Sequence, residues 1–478
     1  MNAPLKQLIL IETGLLALFI LLGNGLRSVA TMTVSVSQGE FASFLNISVE
    51  RTDILIEVLI GGAVMALAIA PFVINSNTAR RVCLATALLA SASYAMVGLT
   101  MHWDPALSVR EIIVLASFCM GGFAISFFAP LAQLAISQAK TDREKSMLTT
   151  VWTAAQPIAF LIAPQLVKYV AFDVGTGNYF LILAALPILF LVIMPVVMRT
   201  PHNHEAGNEA ANTDEKQAPN WKLIGLFMSV VIMFEAWTTA NSFVGVESPI
   251  GLGLMTAFLA LSVALYFGVR SAKPSDAKLP SDAIFLLVVL FILEIPTTGV
   301  YDTAYLVRHL CSSELIDDRA TLGAASQVIM VFGAGALIAR NPVWRERLWL
   351  LAIPCLIISS IATIFYPYPA TDAALFYWTK MLSSIGIGIA TTIVVSQVIA
   401  SANGNKLITL APAFVIMFGT EVGIEILEIT FQLSKLAGLG VTPAYQMVFV
   451  VQVSAVLLAT TLMLWRWLAP KLHKAPAT

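Results

Sequence analysis

The chain has 478 residues, of which 58% are hydrophobic and only 12% charged, with a formal net charge of -1 and a mean hydropathy of +0.85. A soluble core has no use for so much apolar surface, so the composition describes a polytopic membrane protein. The near-zero charge, with no basic run interleaved with aromatics, argues against a nucleic-acid partner.

In chain order, the first apolar run begins near Leu8 and is followed by small polar residues rather than a cleavage site, so it reads as a retained span and not a signal peptide. Spans are expected near 8–34, 53–74, 82–101, 111–136, 147–170, 178–198, 222–243, 250–269, 283–307, 319–339, 347–366, 373–400, 407–432 and 443–467. That makes fourteen. Each is helical, because about 20 residues at 1.5 Å rise cross the hydrocarbon and satisfy every backbone group internally. The alternating ten-residue strands of a barrel are absent. The expected class is therefore an all-α polytopic membrane protein.

Between the sixth and seventh spans the polar tract Arg199 to Trp221 reads as a flexible linker. His202, His204 and Glu205 within it are the one arrangement resembling metal ligands, and histidines in such tracts ordinarily bind nothing, so no metal site is expected. The cysteines Cys83, Cys119, Cys311 and Cys355 stand singly on separate segments, which implies neither a disulfide framework nor a zinc site.

Counting Lys and Arg by loop, with the N-terminus inside, puts nineteen of the 27 on the cytoplasmic side. Both termini are therefore expected in the cytoplasm. The basic turns give a second pattern. Arg80 and Arg81 close the turn after the second span, while Arg340, Arg345 and Arg347 lie in the turn after the tenth. The interval from Arg27 to Arg80 equals that from Glu294 to Arg347, so the ninth span reads as a second copy of the first. Duplicated halves place a substrate site between them near the midplane, at the depth of Arg27 and Glu294.

With this layout the chain resembles the major facilitator superfamily, in particular its fourteen-helix branch of drug:proton antiporters. The likeness covers nearly the whole length. The family's loop signature falls on Phe72 to Arg81, where Arg80 and Arg81 match and Ser76, Asn77 and Ala79 depart. The second-half loop keeps Gly335, Leu337 and Arg340. The antiporter signature of the fifth span becomes Ala159, Ala163 and Pro164 followed by Val167 and Lys168, without the glycine pair. The resemblance implies a bundle over 1–198, a cytoplasmic linker over 199–221, two inserted helices over 222–282 and a second bundle over 283–478. It further implies alternating access, with the basic turns as conformational switch loops.

Charges inside apolar spans are the candidates for function, because an ion at the bilayer centre costs about 2.5–3.5 kcal/mol even on the most lenient scale. Glu294 lies near the middle of its span just ahead of Pro296, which frees carbonyls towards a cavity, and desolvation there favours the neutral acid, which suits proton uptake near neutral pH. Glu421, Glu425 and Glu428 follow one another at i, i+4 and i+7 and share a helix face that lipid does not accept. These four are the expected proton-coupling acids, the alternative being structural ion pairs. Arg27, Lys380 and Gln156 are the expected cargo-binding residues. For Arg27 the competing reading is a snorkelling interfacial arginine, for Lys380 a pair with Glu425 or Glu428, and for Gln156 an interhelical hydrogen bond. Glu235 belongs to an inserted helix and reads as structural pairing or a mouth position, and Glu57 as interfacial.

No P-loop, GxSxG or HExxH motif and no sizeable soluble segment is present, so the expectation is a non-enzyme without cofactor, energised by an ion gradient. It would be a proton-coupled transporter, most simply a multidrug-type efflux antiporter, acting as a monomer in a plasma membrane of the bacterial inner-membrane kind. Its partners would be protons, lipid and a small-molecule substrate. The alternatives are a carrier for one anionic metabolite or siderophore, and a non-transporting membrane receptor.

Overall fold

The computed structural model describes residues 3–48, 52–75, 77–103, 105–139, 141–197, 221–244, 248–271, 281–298, 313–365, 373–402 and 405–472. Among them every regular element is helical. The first half contains α1 (Ala3–Val36), the short α2 (Gln38–Leu45), α3 (Asp53–Val73), α4 (Ala79–Trp103), α5 (Leu107–Ser126), α6 (Phe128–Ser137), α7 (Asp142–Leu166) and α8 (Thr176–Val197). Then follow α9 (Trp221–Val244), α10 (Pro249–Ser271), α11 (Ser281–Glu294), α12 (Ser313–Arg340), α13 (Trp344–Arg347), α14 (Trp349–Ile364), α15 (Ala373–Ser401), α16 (Lys406–Leu436) and α17 (Val441–Leu472).

The helix ends have local causes. In the turn before α4, Asn75 Oδ1 accepts the amides of Asn77 at 3.0 Å and Thr78 at 2.7 Å, while the Thr78 hydroxyl donates to the Val73 carbonyl at 2.6 Å. Asn341 repeats the device before α13, accepting the Val343 amide at 3.0 Å. Both basic turns thus open on an asparagine that replaces missing helical partners. At α7 the Thr141 hydroxyl accepts the Glu144 amide at 3.1 Å, one half of a capping box. Beyond Pro164 the same helix widens into a π turn over Val167–Ala171, a common way of absorbing a break in the i to i−4 ladder.

Twelve helical stretches among the described residues are long and apolar enough to cross a membrane. They coincide with twelve of the fourteen spans expected from the sequence. Of the other two, the span expected at 250–269 lies in α10, a helix of 23 residues over Pro249–Ser271 whose described apolar part is Pro249–Leu265. The span expected at 283–307 is interrupted: α11 stops at Glu294, the chain tightens to a 3-10 turn over Ile295–Thr298 around Pro296, and residues 299–312 lie outside the described set.

The chain divides into two compact units, one of Met1–Ala139, Ala159–Leu279 and Asn403–Phe414, the other of Lys140–Ile158, Pro280–Ala402 and Val415–Thr478. In the first, α4 packs on α5 and α8, α3 on α5 and α9, and α1 on α6 and α8. The closest approach is between α3 and α5, where a Cβ on Gly62 would run into the Cys119 carbonyl and one on Gly122 into that of Leu59. Without water to drive association, such backbone proximity is how membrane helices gain dispersion energy. Aromatic rings fill the rest: Phe41, Phe118 and Phe180 meet edge to face at 5.5–5.7 Å, and Phe128 stacks on Phe190 at 4.0 Å. Arg110, just before the span expected at 111–136, ties α5 to α2 by donating from Nη1 to the Phe44 carbonyl at 2.6 Å. In the second unit α15 is central, packed against α11, α12 and α14, with α17 against α11 and α14.

Candidate functional site

Each unit buries ionisable side chains inside its apolar helices. In the first, α1 carries Asn24, Arg27 and Ser28, all buried. Arg27 is 5% exposed and lies nine residues before Val36, about 14 Å from that helix end. Gln133 on α6, which the sequence reading passed over, is completely buried, and neither atom of its amide meets a hydrogen-bond partner among the described residues. Glu235 on α9 is also buried.

In the second unit Glu294 is 6% exposed. It is the last residue of α11, where the helix gives way to the 3-10 turn holding Pro296. Its neighbour is α16: a Cβ on Gly419 would stand 3.1 Å from Glu294 Cβ, and one on Gly423 2.7 Å from Ile295 Cα. The two glycines, one turn apart, let α16 lie directly against the acid. Glu421, Glu425 and Glu428 occupy the other side of that helix, roughly half a turn around from the glycines. Their burial declines along α16, from buried Glu421 through half-buried Glu425 to exposed Glu428. The four acids expected to act together therefore form two sets, Glu294 on one side of α16 and the glutamate stripe on the other.

Lys380 on α15 is half-buried and crosses α12 at Gly323, where a Cβ would stand 2.8 Å from Lys380 Cγ. One turn away on the same two helices, Arg319 is 4% exposed and donates from Nε to the Phe376 carbonyl at 3.2 Å. Arg319 is the first residue of the span expected at 319–339. Because α12 begins at Ser313, Arg319 stands in its second turn and joins Lys380 as a second cation on the α12–α15 seam. Gln156 on α7 is half-buried.

Of the switch-loop arginines, Arg80, Arg81, Arg340 and Arg347 are exposed and Arg345 is half-buried. Arg345 lines a cavity of about 380 Å³ with Gln397, Ser401 and Arg466, and Arg466 pairs with Asp282 at 3.5 Å. Among the described residues no group of three or more His, Cys, Asp or Glu is arranged to hold a metal. His202, His204, Glu205 and Asp302 lie outside the described residues.

Neither a protein-family model nor a curated protein sequence matches this chain. Its fold is nonetheless shared with solved transporters. The human organic anion transporter MFSD10 superposes with a TM-score of 0.63 at 14% identity, over 94% of this chain and 99% of that one. A bacterial homologue of the iron transporter ferroportin, in its outward-facing state, gives 0.61 at 14% identity over 95% and 98%. The major facilitator superfamily proton:xylose symporter XylE gives 0.58 at 14% identity over 93% and 94%. At this identity the likeness defines the fold: an all-helical, multi-span arrangement of the major facilitator kind over nearly the full length of the chain.

Proposed function

We propose that the chain is a proton-coupled secondary transporter that moves small organic molecules by alternating access, with export as its direction. The observation that carries this reading is Glu294, a carboxyl buried at a helix break inside an apolar span and backed by the bare glycine face of α16. Burying an acid there is costly for a purely structural protein, whereas one that takes up and releases a proton as its surroundings change uses that cost. The shared fold with three transporters supports the class. Glu421 and Glu425 are the further coupling candidates, with Glu428 at the exposed end of the stripe.

The proposal includes fourteen crossings, with α10 and the segment begun by α11 completing the set, both termini in the cytoplasm, and a bacterial inner membrane as the site of action. It places one bundle at 1–198 and the other at 283–478, joined by the 199–221 linker and the inserted pair, in a monomer that is not an enzyme. A second reading, a carrier of anionic metabolites, is favoured by the three buried or half-buried cations Arg27, Arg319 and Lys380. Flux into proteoliposomes separates the two, with ethidium as lipophilic cation and fluorescein as organic anion. The first reading predicts ethidium movement driven by a pH gradient and insensitive to Arg27→Ala. Fluorescein movement abolished by that substitution favours the second, and no gradient-driven flux of either probe contradicts the proposal.

A further inference from the structure

Glu235 is a buried acid that the scheme above leaves unused. It lies on α9 nine residues before Val244, about 14 Å from that end, and is 9% exposed. Its seat is specific. A Cβ on Gly61 of α3 would stand 2.5 Å from Glu235 Oε2, so the carboxyl fills the volume that a side chain at position 61 would need. Gly61 is eight residues from Asp53, about 12 Å deep, which matches the depth of Glu235 from its own helix end. The adjacent Gly62 serves a different neighbour, the Cys119 carbonyl of α5. The glycine pair thus gives α3 one bare surface for α5 and another for an acid from α9.

The surroundings define what such a group can bind. On α3, Glu57 is one turn from Gly61 on the same face, and no Lys, Arg or His occurs between Asp53 and Val73. On α5, the carbonyl of Cys119 lies against Gly62, the residue after Gly61. On α10, Phe258 packs against Phe234 at 5.3 Å and Trp237 at 6.2 Å, and Arg270 stands one residue from the end of that helix. At the start of α16, Phe414 meets Phe227 of α9 at 5.5 Å. Lys222 of α9 is thirteen residues from Glu235, about 20 Å along the helix. A divalent cation wants several oxygen ligands in one shell. A proton needs a single carboxylate.

We infer that Glu235 is a proton-binding carboxyl of the first unit, seated on Gly61, so that α9 carries a protonation site of its own rather than serving as an inert spacer. Its part in transport rests on the proton-coupled reading above, but proton binding itself is read without cargo. The test is infrared difference spectroscopy of the purified full chain in lipid, recorded between alkaline and acidic pH. The wild type shows carbonyl-stretch intensity of protonated carboxyls. Glu235→Gln removes one component of it, Glu57→Gln leaves that component in place, and Glu294→Gln removes a different one. Glu235→Asp and Gly61→Ala keep the component and shift its titration midpoint, because both alter the fit at position 61 while retaining an acid. Difference spectra of Glu235→Gln that superimpose on the wild type, or a midpoint unmoved by both Glu235→Asp and Gly61→Ala, overturn the inference. Loss of the component in Glu57→Gln instead assigns the proton to α3 and likewise overturns it. Absent gradient-driven flux alongside an intact Glu235 component would overturn the transport reading alone.

Discussion

Glu294 and Glu428 are both glutamates in apolar helices, yet one is buried against a glycine face and the other is exposed. The difference decides what their substitution does. Glu294→Gln should lower pH-gradient-driven flux by about tenfold, the order of a typical coupling free energy, with the amount of folded protein unchanged on size-exclusion chromatography. Glu428→Gln should stay within about twofold of wild type, because an exposed carboxyl keeps its hydration and offers no desolvated site for a proton. Arg319→Ala removes the donor to the Phe376 carbonyl and should cost about 1–3 kcal/mol in a denaturation midpoint measured in detergent. Arg27, Glu294 and Glu421 could be found in the sequence because a lone charge inside an apolar run is conspicuous. Arg319 was less conspicuous, because it follows Asp317 and Asp318 at the very start of the span expected at 319–339, and the earlier start of α12 at Ser313 is what sets it in the seam. Gln133 was passed over although Gln156, the same residue type in the next span, was singled out, because which of two amides ends up fully buried is decided by packing and not by hydropathy.

At the scale of elements, the helices themselves were legible from apolar length alone, because in hydrocarbon every backbone group must be satisfied within its own segment. What hydropathy does not carry is the interruption of that pattern by single residues. Pro296 ends α11 at Glu294, and the π turn follows Pro164. Nor does it report which helices approach closely, which is set by individual glycines facing a neighbour. Two sets of glycine substitutions separate these roles. Gly62→Val and Gly122→Val push a side chain into the carbonyls of Cys119 and Leu59 and should destabilise by about 1–3 kcal/mol each. Gly225→Ala on α9, where a Cβ meets nothing within 4 Å, should be stabilising by about 0.4–1 kcal/mol. Thermal melts of the detergent-solubilised variants check both, and equal effects at the three positions would contradict the packing described.

For the whole molecule, the distribution of basic residues and the count of crossings make one joint statement. An even number of spans, twelve or fourteen, returns the chain to the side on which it began, and the proposal takes that side to be the cytoplasm from the excess of Lys and Arg in alternate loops. Single cysteines placed near each end and in the 199–221 tract, in a background lacking the native four, should therefore all be protected from a membrane-impermeant thiol reagent in intact cells and react once the membrane is opened. Labelling of any one of the three in intact cells would refute the topology. The duplication inferred from Arg27 and Glu294 has a local counterpart in the two asparagine turns at Asn75 and Asn341, which stand nearly the same interval apart.

The central claim is that carboxyls held in the apolar helices exchange protons as cargo moves. The most direct measurement is the alkalinisation or acidification of proteoliposomes loaded with a pH-reporting dye when a transported probe is added outside, compared between wild type and Glu294→Gln. The account predicts a proton movement that accompanies the probe in the wild type and vanishes in the variant. Probe flux that proceeds at full rate with no accompanying pH change in either protein would contradict it.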